Sequence, residues 1–324
     1  MLALCVRRLA QSVAVLFVMS LLVFAGVYAV GNPVDILVNP QADQNEIARA
    51  TAALGLDRPL LEQYFVFIGH ATAGDLGRSF AFNVPAISLI LERMPATLEL
   101  ASAAMLIAVL LGIPLGLWAG LKPRSAAGKT IMAGSIQGFS LPTFWVGLML
   151  ILVFSVWLGW LPTSGRGPTA NLLGIPVSFL TAEGLRHLVL PTANLALFNL
   201  SLVIRLTRSG TREAMRQDYV RFARAKGLTE TRIVGVHVLR NVLVPVVTVA
   251  GVEFGSMIAF AVVTESIFAW PGMGKLLIDS INVLDRPVIV GYLCIVVTLF
   301  VAINLAVDLA YSWLDPRVRA GETR

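Results

Sequence analysis

Long apolar runs broken by short polar stretches dominate the chain. Six of them, near residues 9–30, 96–121, 131–158, 187–209, 240–264 and 288–313, are long enough to cross a bilayer. A helix rises 1.5 Å per residue, so about 20 apolar residues span about 30 Å of hydrocarbon. The pattern predicts an all-α, polytopic membrane protein with six transmembrane helices. The first run follows Arg7 and Arg8, as the apolar part of a signal peptide would. It continues to about residue 30, and no small-residue cleavage site precedes Gly31-Asn32-Pro33, so it reads as a retained helix.

Basic residues accumulate on the cytoplasmic side of membrane proteins. With the N-terminus inside, the inner segments 1–8, 122–130, 205–240 and 314–324 hold 17 Lys and Arg against 5 acids. The outer segments 31–95, 159–186 and 265–287 hold 8 against 11. Both termini are expected in the cytoplasm. Residues 1–95 then comprise the first helix and an extracytoplasmic segment, and 96–324 a core of five helices with an inner loop over 210–239. The outer segment shows helical patches at Gln44–Leu54 and Leu60–Ile68, and turn signals at Asn32-Pro33 and Gly74-Asp75.

Composition agrees with this picture. Of 324 residues, 57% are hydrophobic and 14% charged, with a mean hydropathy of +0.80. Soluble domains carry about 25% charged residues, so a disordered chain is excluded and a soluble enzyme disfavoured. The net charge of +6 sits in the short loops, which points to a membrane surface and membrane lipids rather than nucleic acid. Cys5 and Cys294 lie in or beside apolar runs and read as packing residues.

Catalytic signatures are missing. His70, His187 and His237 are far apart, and there is no HExxH, so no metal site is expected. Gly138-Phe139-Ser140-Leu141-Pro142 lacks the last glycine of a nucleophile elbow. Gly128-Lys129-Thr130 and Gly274-Lys275-Leu276 imitate the tail of a phosphate loop. Pro123 and Ala269 stand where the first glycine belongs, and neither stretch lies between a strand and a helix. The chain is expected to bind no cofactor itself, and energy from ATP would have to come through a partner.

The inner loop is the most informative segment. Asp218 can cap a helix N-terminus. Tyr219, Phe222, Ala223 and Lys226 then follow at i, i+3, i+4 and i+7, one helical face, with Arg221 and Arg224 on the flanks. Gly227 can take positive φ and end the helix, and Thr229 can cap the next. So short a helix is marginal alone in water. Two readings fit: a basic stretch lying on anionic headgroups, or a helix docked on a cytoplasmic partner. The small residues Ala223, Ala225 and Gly227, which admit close approach, favour docking.

The stretch Asp218 to Thr229 (DYVRFARAKGLT), followed by Arg240 to Pro245, resembles the inner loop of binding-protein-dependent ABC importer permeases, in the dipeptide/oligopeptide/nickel branch. Gly74 to Ser79, Pro95 to Leu100, Leu158 to Pro162, Glu265 to Gly274 and Asn304 to Arg317 are similar to the same family in order along the chain. The resemblance implies a type I ABC importer permease fold in the bacterial inner membrane. It implies an ATPase-coupling helix at Asp218, Tyr219, Arg221, Phe222, Ala223, Arg224, Ala225, Lys226 and Gly227; Phe222 stands where relatives more often carry a small or hydroxylated residue. Implied partners are a second permease, usually a different chain, two ATP-binding subunits holding ATP and Mg, and an extracytoplasmic solute-binding protein. The solute stays open among dipeptide, longer peptide, glutathione, nickel chelate and sugar conjugate.

Three acids fall inside predicted spans, where charge is costly and a functional role is the first hypothesis. Glu99 and Asp308 lie near span ends and can be hydrated. Glu253 lies near mid-span, so it must meet a partner helix or a water-filled path. It is either a structural hydrogen bond or a path residue for a cationic group such as a peptide amine. Ser256 beside it, with Asn194 and Asn199 in the fourth span, complete the path candidates, with packing hydrogen bonds as the alternative. Pro271-Gly272-Met273-Gly274 marks a turn before an apolar stripe at Leu276, Leu277, Ile281 and Leu284. With Glu265 these residues are candidates for an outer gate, or for a plain interfacial helix. An ion-driven transporter with Glu253 as proton carrier and a membrane enzyme are the rival functions.

Overall fold

Among the described residues the predicted apolar runs lie on helical backbone, apart from a break in the third. The computed structural model describes residues 2–29, 43–53 and 57–314, with side chains over 10–26, 43–49, 51–52 and 57–307. Cys5 and Asp308 therefore have side chains outside the described residues, as do Leu54, Asn32 and Pro33 entirely. Among the described residues, four helices are long and apolar enough to cross a membrane: Ala86–Leu121, Ala182–Ala214, Glu230–Ile267 and Arg286–Val307. The first run is the helix Leu2–Ala29.

The third span departs from the expectation of one continuous helix. Ala126–Ser140 and Thr143–Trp157 form a pair bent by 108°. The cause is local. Pro142 disfavours helical backbone in the residue before it, and Leu141 sits at φ −78°, ψ 134°. Counted as one broken span, the pair makes a fifth crossing among the described residues. The all-α expectation also gains one exception, an antiparallel hairpin of Ala170–Leu172 and Ile175–Val177. Its two-residue turn places both Leu173 (φ 53°) and Gly174 (φ 86°) in left-handed backbone, the geometry that matches strand twist.

The chain divides into two compact units. The first holds residues 1–97 and 271–301. The patches expected in the outer segment are here, as Gln44–Ala53 and Leu60–Thr72. Phe24 stacks on Phe67 at 5.9 Å and meets Tyr64 edge-on at 5.4 Å. The turn signalled by Gly74-Asp75 is present, with Gly74 at φ 81°. Asp75 accepts from the Gly77 N–H at 2.9 Å and lies 3.3 Å from His70 Nδ1, which together hold its pKa below the usual carboxylate value. Buried Asp285 organises the loop that follows. It accepts from the Ser79 hydroxyl, from the Phe80 N–H at 3.1 Å and from the Ala81 N–H at 3.2 Å.

The second unit holds residues 98–270 and 302–324. Its centre is Ala182–Ala214, which packs on Leu239–Ile267 and Ala126–Ser140. Gly112, Gly116 and Gly120 recur every fourth residue and let Ala86–Leu121 approach Ala182–Ala214 closely. A Cβ at these positions would lie 2.7 Å from Val203 Cγ1, 2.5 Å from Thr207 Cβ and 2.7 Å from Thr211 Cβ. A second device in this unit is a buried ion pair. Glu99 is 8% exposed. One of its carboxylate oxygens accepts from Arg166 Nε at 3.0 Å, and the other from the Ser178 N–H at 2.7 Å, the Ser178 hydroxyl at 2.8 Å and the Phe179 N–H at 3.1 Å. Arg166 also donates to the Pro176 carbonyl at 2.7 Å and lies over the Trp270 ring. Glu99 thus ties the segment carrying the hairpin to a spanning helix.

Candidate coupling helix and path residues

The inner loop folds as expected in outline. Asp218–Ala225 is a helix, Gly227 has φ 76°, and Thr229 caps the next helix by accepting from the Arg232 N–H. Two details differ from the sequence reading. Gln217 occupies the N-cap, without a side-chain cap bond, while Asp218 lies in the first turn and pairs with Arg221 at 3.2 Å. There its negative charge still faces the positive end of the helix dipole. Tyr219, Phe222, Ala223 and Lys226 do not form one presented face. Ala223 is buried with Val220, and Tyr219 packs against the same cluster, while Phe222 is 69% exposed and Lys226 is exposed.

The reason is the protein's own core. Val220 and Ala223 join Val203, Ala214, Ile233, Val238, Val242 and Val246 in one buried cluster, with Leu228 and Met215 at its edge. The short helix is therefore seated on the inner ends of Ala182–Ala214 and Leu239–Ile267. The Tyr219 hydroxyl accepts from Asn241 Nδ2 at 2.9 Å, a second tie to the fifth-span helix. Ile233–Val238, between them, is π-helical.

The helix end is a Schellman motif. The Leu228 N–H donates to the Ala223 carbonyl at 3.2 Å and the Gly227 N–H to the Arg224 carbonyl at 2.9 Å. Across this turn Arg224 forms a fork with Glu230, at 2.7 and 3.3 Å. Glu230 was not foreseen; the signal was a carboxylate placed just beyond a predicted helix stop. What the motif leaves outward is Arg221, Phe222, Arg224, Ala225, Lys226 and Gly227, all exposed.

The path candidates do not gather in one place. Asn194 is 1% exposed and donates from Nδ2 to Thr264 Oγ1 at 3.0 Å, while its Oδ1 is buried with no partner among the described residues. Asn199 is 4% exposed and its Oδ1 is likewise unpartnered. Glu253 is half-buried, and Ser256 turns back to the Val252 carbonyl at 3.5 Å. Thr264 and Glu253 lie eleven residues apart on one helix, about 16 Å along its axis. Asn194 and Glu253 therefore sit at different depths. Thr264 was missed because a lone threonine in an apolar run carries no signal until its partner is known.

The gate candidates fall in both units. Glu265 is fully buried in the second, and its carbonyl accepts from the Trp270 N–H at 2.8 Å. Pro271, Gly272 and Gly274 belong to the first, where Gly272 precedes the helix Met273–Asn282. The Met273 N–H donates to Thr97 Oγ1 at 2.8 Å. The expected stripe is helical through Leu276, Leu277 and Ile281, whereas Leu284 lies past the end at φ 50°.

The chain is similar to known proteins over nearly its whole length. Residues 112–320 match the model of the "Binding-protein-dependent transport system inner membrane component" family, and residues 1–101 match its N-terminal companion. The chain is 42% identical to the Di/tripeptide transport system permease protein DppB of Pseudomonas aeruginosa, over 98% of this chain and 99% of that one. It is 38% identical to the Dipeptide transport system permease protein DppB of Escherichia coli, with the same coverage. In fold it is similar to the MetNI methionine ABC transporter in inward-facing conformations, at a TM-score of 0.54 and 15% identity, over 71% of this chain and 97% of that one. Helical spans, a seated inner-loop helix and family matches over both parts of the chain converge: the chain belongs to the binding-protein-dependent transport system inner membrane component family, the permeases of ABC importers.

Proposed function

We propose that this permease forms, with a second permease, the path for a dipeptide or short oligopeptide, and couples that path to cytoplasmic ATPases by alternating access. The observation that carries the coupling role is the two-sided helix Asp218–Ala225. One side is fixed to the spanning helices through Val220 and Ala223, and the other leaves Phe222, Arg221 and Lys226 bare. A helix held this way moves with the spans it sits on, and a partner gripping its bare side moves them. The peptide substrate is supported by the names of the relatives at 42% and 38% identity.

In this reading both termini and the loop 210–239 are cytoplasmic, as the basic residues indicate. An extracytoplasmic binding protein delivers the solute, and most of the selectivity lies in it. ATP draws two ATPase subunits together, the seated helix passes that motion to Ala182–Ala214 and Glu230–Ile267, and the path opens outward. Hydrolysis restores the inward-open state. The chain contributes the path and the coupling surface; ATP and Mg are held by the ATPases.

Reconstitution of the chain with its partner subunits in proteoliposomes tests this. Uptake of a labelled dipeptide is expected only with enclosed ATP and the binding protein, and it should survive a protonophore. Uptake that needs no ATP and stops with the protonophore would instead support the ion-driven reading centred on Glu253.

A further inference from the structure

We infer that the inner end of Ala182–Ala214 carries a site for a phosphate-bearing anion, supplied by the headgroup of an anionic phospholipid in the inner leaflet. The inference rests on the orientation proposed above. Arg208 and Arg212 lie one turn apart on one face of the helix, and Arg216 follows in the turn just past its end at Ala214. With Ser209, Glu213 and Gln217 they line a recess of about 420 Å³.

The recess holds unspent charge. Arg166, Arg186, Arg221 and Arg224 each meet a carboxylate. Arg208, Arg212 and Arg216 have no ion pair or hydrogen bond from their guanidinium groups among the described residues, although Glu213 lies in the same lining. Nε of Arg208 is buried without a partner among the described residues. A buried donor on a cation left unpaired is costly, so an acceptor from outside the chain belongs there. A phosphate suits the lining because its oxygens can accept from several guanidinium forks at once.

Depth selects the source. Just before the recess, Arg205 lays its guanidinium over the Phe139 ring at 4.1 Å, the posture of a cation leaving the apolar layer. From Arg208 the helix runs about 9 Å further to its end at Ala214, which in the proposed orientation reaches the headgroup region. Basic recesses at this level attract anionic lipid at about 1 kcal/mol per arginine.

The test is native mass spectrometry of the full-length chain in detergent, with phosphatidylglycerol or phosphatidylcholine added. Phosphatidylglycerol adducts are expected to dominate. Arg208→Gln with Arg212→Gln should weaken them roughly thirtyfold, and Arg208→Lys with Arg212→Lys should fall between. Gel filtration of each variant confirms that it is folded. Equal binding of both lipids, or unchanged phosphatidylglycerol binding in the glutamine variant, would overturn the site. Inorganic phosphate adducts without any lipid preference would overturn the lipid source. No adduct of either kind would leave the arginines to an acidic partner subunit and overturn the proposal. Sidedness is read separately, by labelling Ser209→Cys with an impermeant thiol reagent in a Cys5→Ser, Cys294→Ser background. Labelling only from outside would refute the orientation whatever the lipids do.

Discussion

Replacing Gly227 with valine is expected to cut ATP-driven uptake by about tenfold or more while the chain still inserts and folds. Gly227 holds φ 76°, and a Cβ added there meets nothing within 4 Å. The first added carbon therefore meets no clash among the described residues. The cost of the substitution is in the backbone: left-handed geometry is disfavoured by roughly 1–2 kcal/mol for a residue with a Cβ, and more for a branched one. Relief of that strain would break the Schellman bonds from Leu228 and Gly227 and pull the helix end off Ala223. The bare side of Asp218–Ala225 would then present a different shape to its partner. Uptake in proteoliposomes should fall about tenfold or more, the equivalent of the strain energy. Gly227→Asn, which tolerates left-handed backbone, should keep most of it. Wild-type uptake by the valine variant would mean that the turn is not used in coupling.

Removal of the Glu99 carboxylate should produce the largest loss of stability. Glu99→Ala strands the Arg166 guanidinium, which is 10% exposed, and leaves the Ser178 and Phe179 N–H groups without an acceptor. Breaking one side of a buried pair costs about 3–5 kcal/mol, which corresponds to a fall in melting temperature of about 10 °C for a chain of this size. The double variant Glu99→Gln, Arg166→Met should recover part of the loss, because no buried charge remains. Thermal unfolding in detergent reads both. A single variant melting within about 2 °C of wild type would show that the pair is not what holds the hairpin segment.

Much of this was legible in the sequence, and the omissions have physical causes. Apolar length gives the spans directly, because the bilayer imposes one requirement on each of them. The break at Leu141-Pro142 was hidden by the same apolar length; hydropathy does not register the backbone restriction that Pro142 places on Leu141. Gly227 and Thr229 were readable because a helix stop and a cap are local chemistry. The facing of Asp218–Ala225 was not, because Phe222 is more apolar than Ala223, and only the valine cluster beneath decides which is buried. Glu99 read as a hydrated span end. Its partners lie 67 and 79 residues away in sequence, and no local pattern announces them. The stripe Gly112, Gly116 and Gly120 was available as small residues at fourfold spacing, but its partner helix was not.

The bare side of Asp218–Ala225 is proposed to lie against an ATPase. A photo-crosslinking phenylalanine derivative at position 222, in the complex isolated in mild detergent with a second permease and two ATPases, measures this most directly. The account predicts a crosslink from position 222 to an ATP-binding subunit. Crosslinks to lipid alone, in preparations that retain the ATPases, would contradict it and return the loop to the membrane surface.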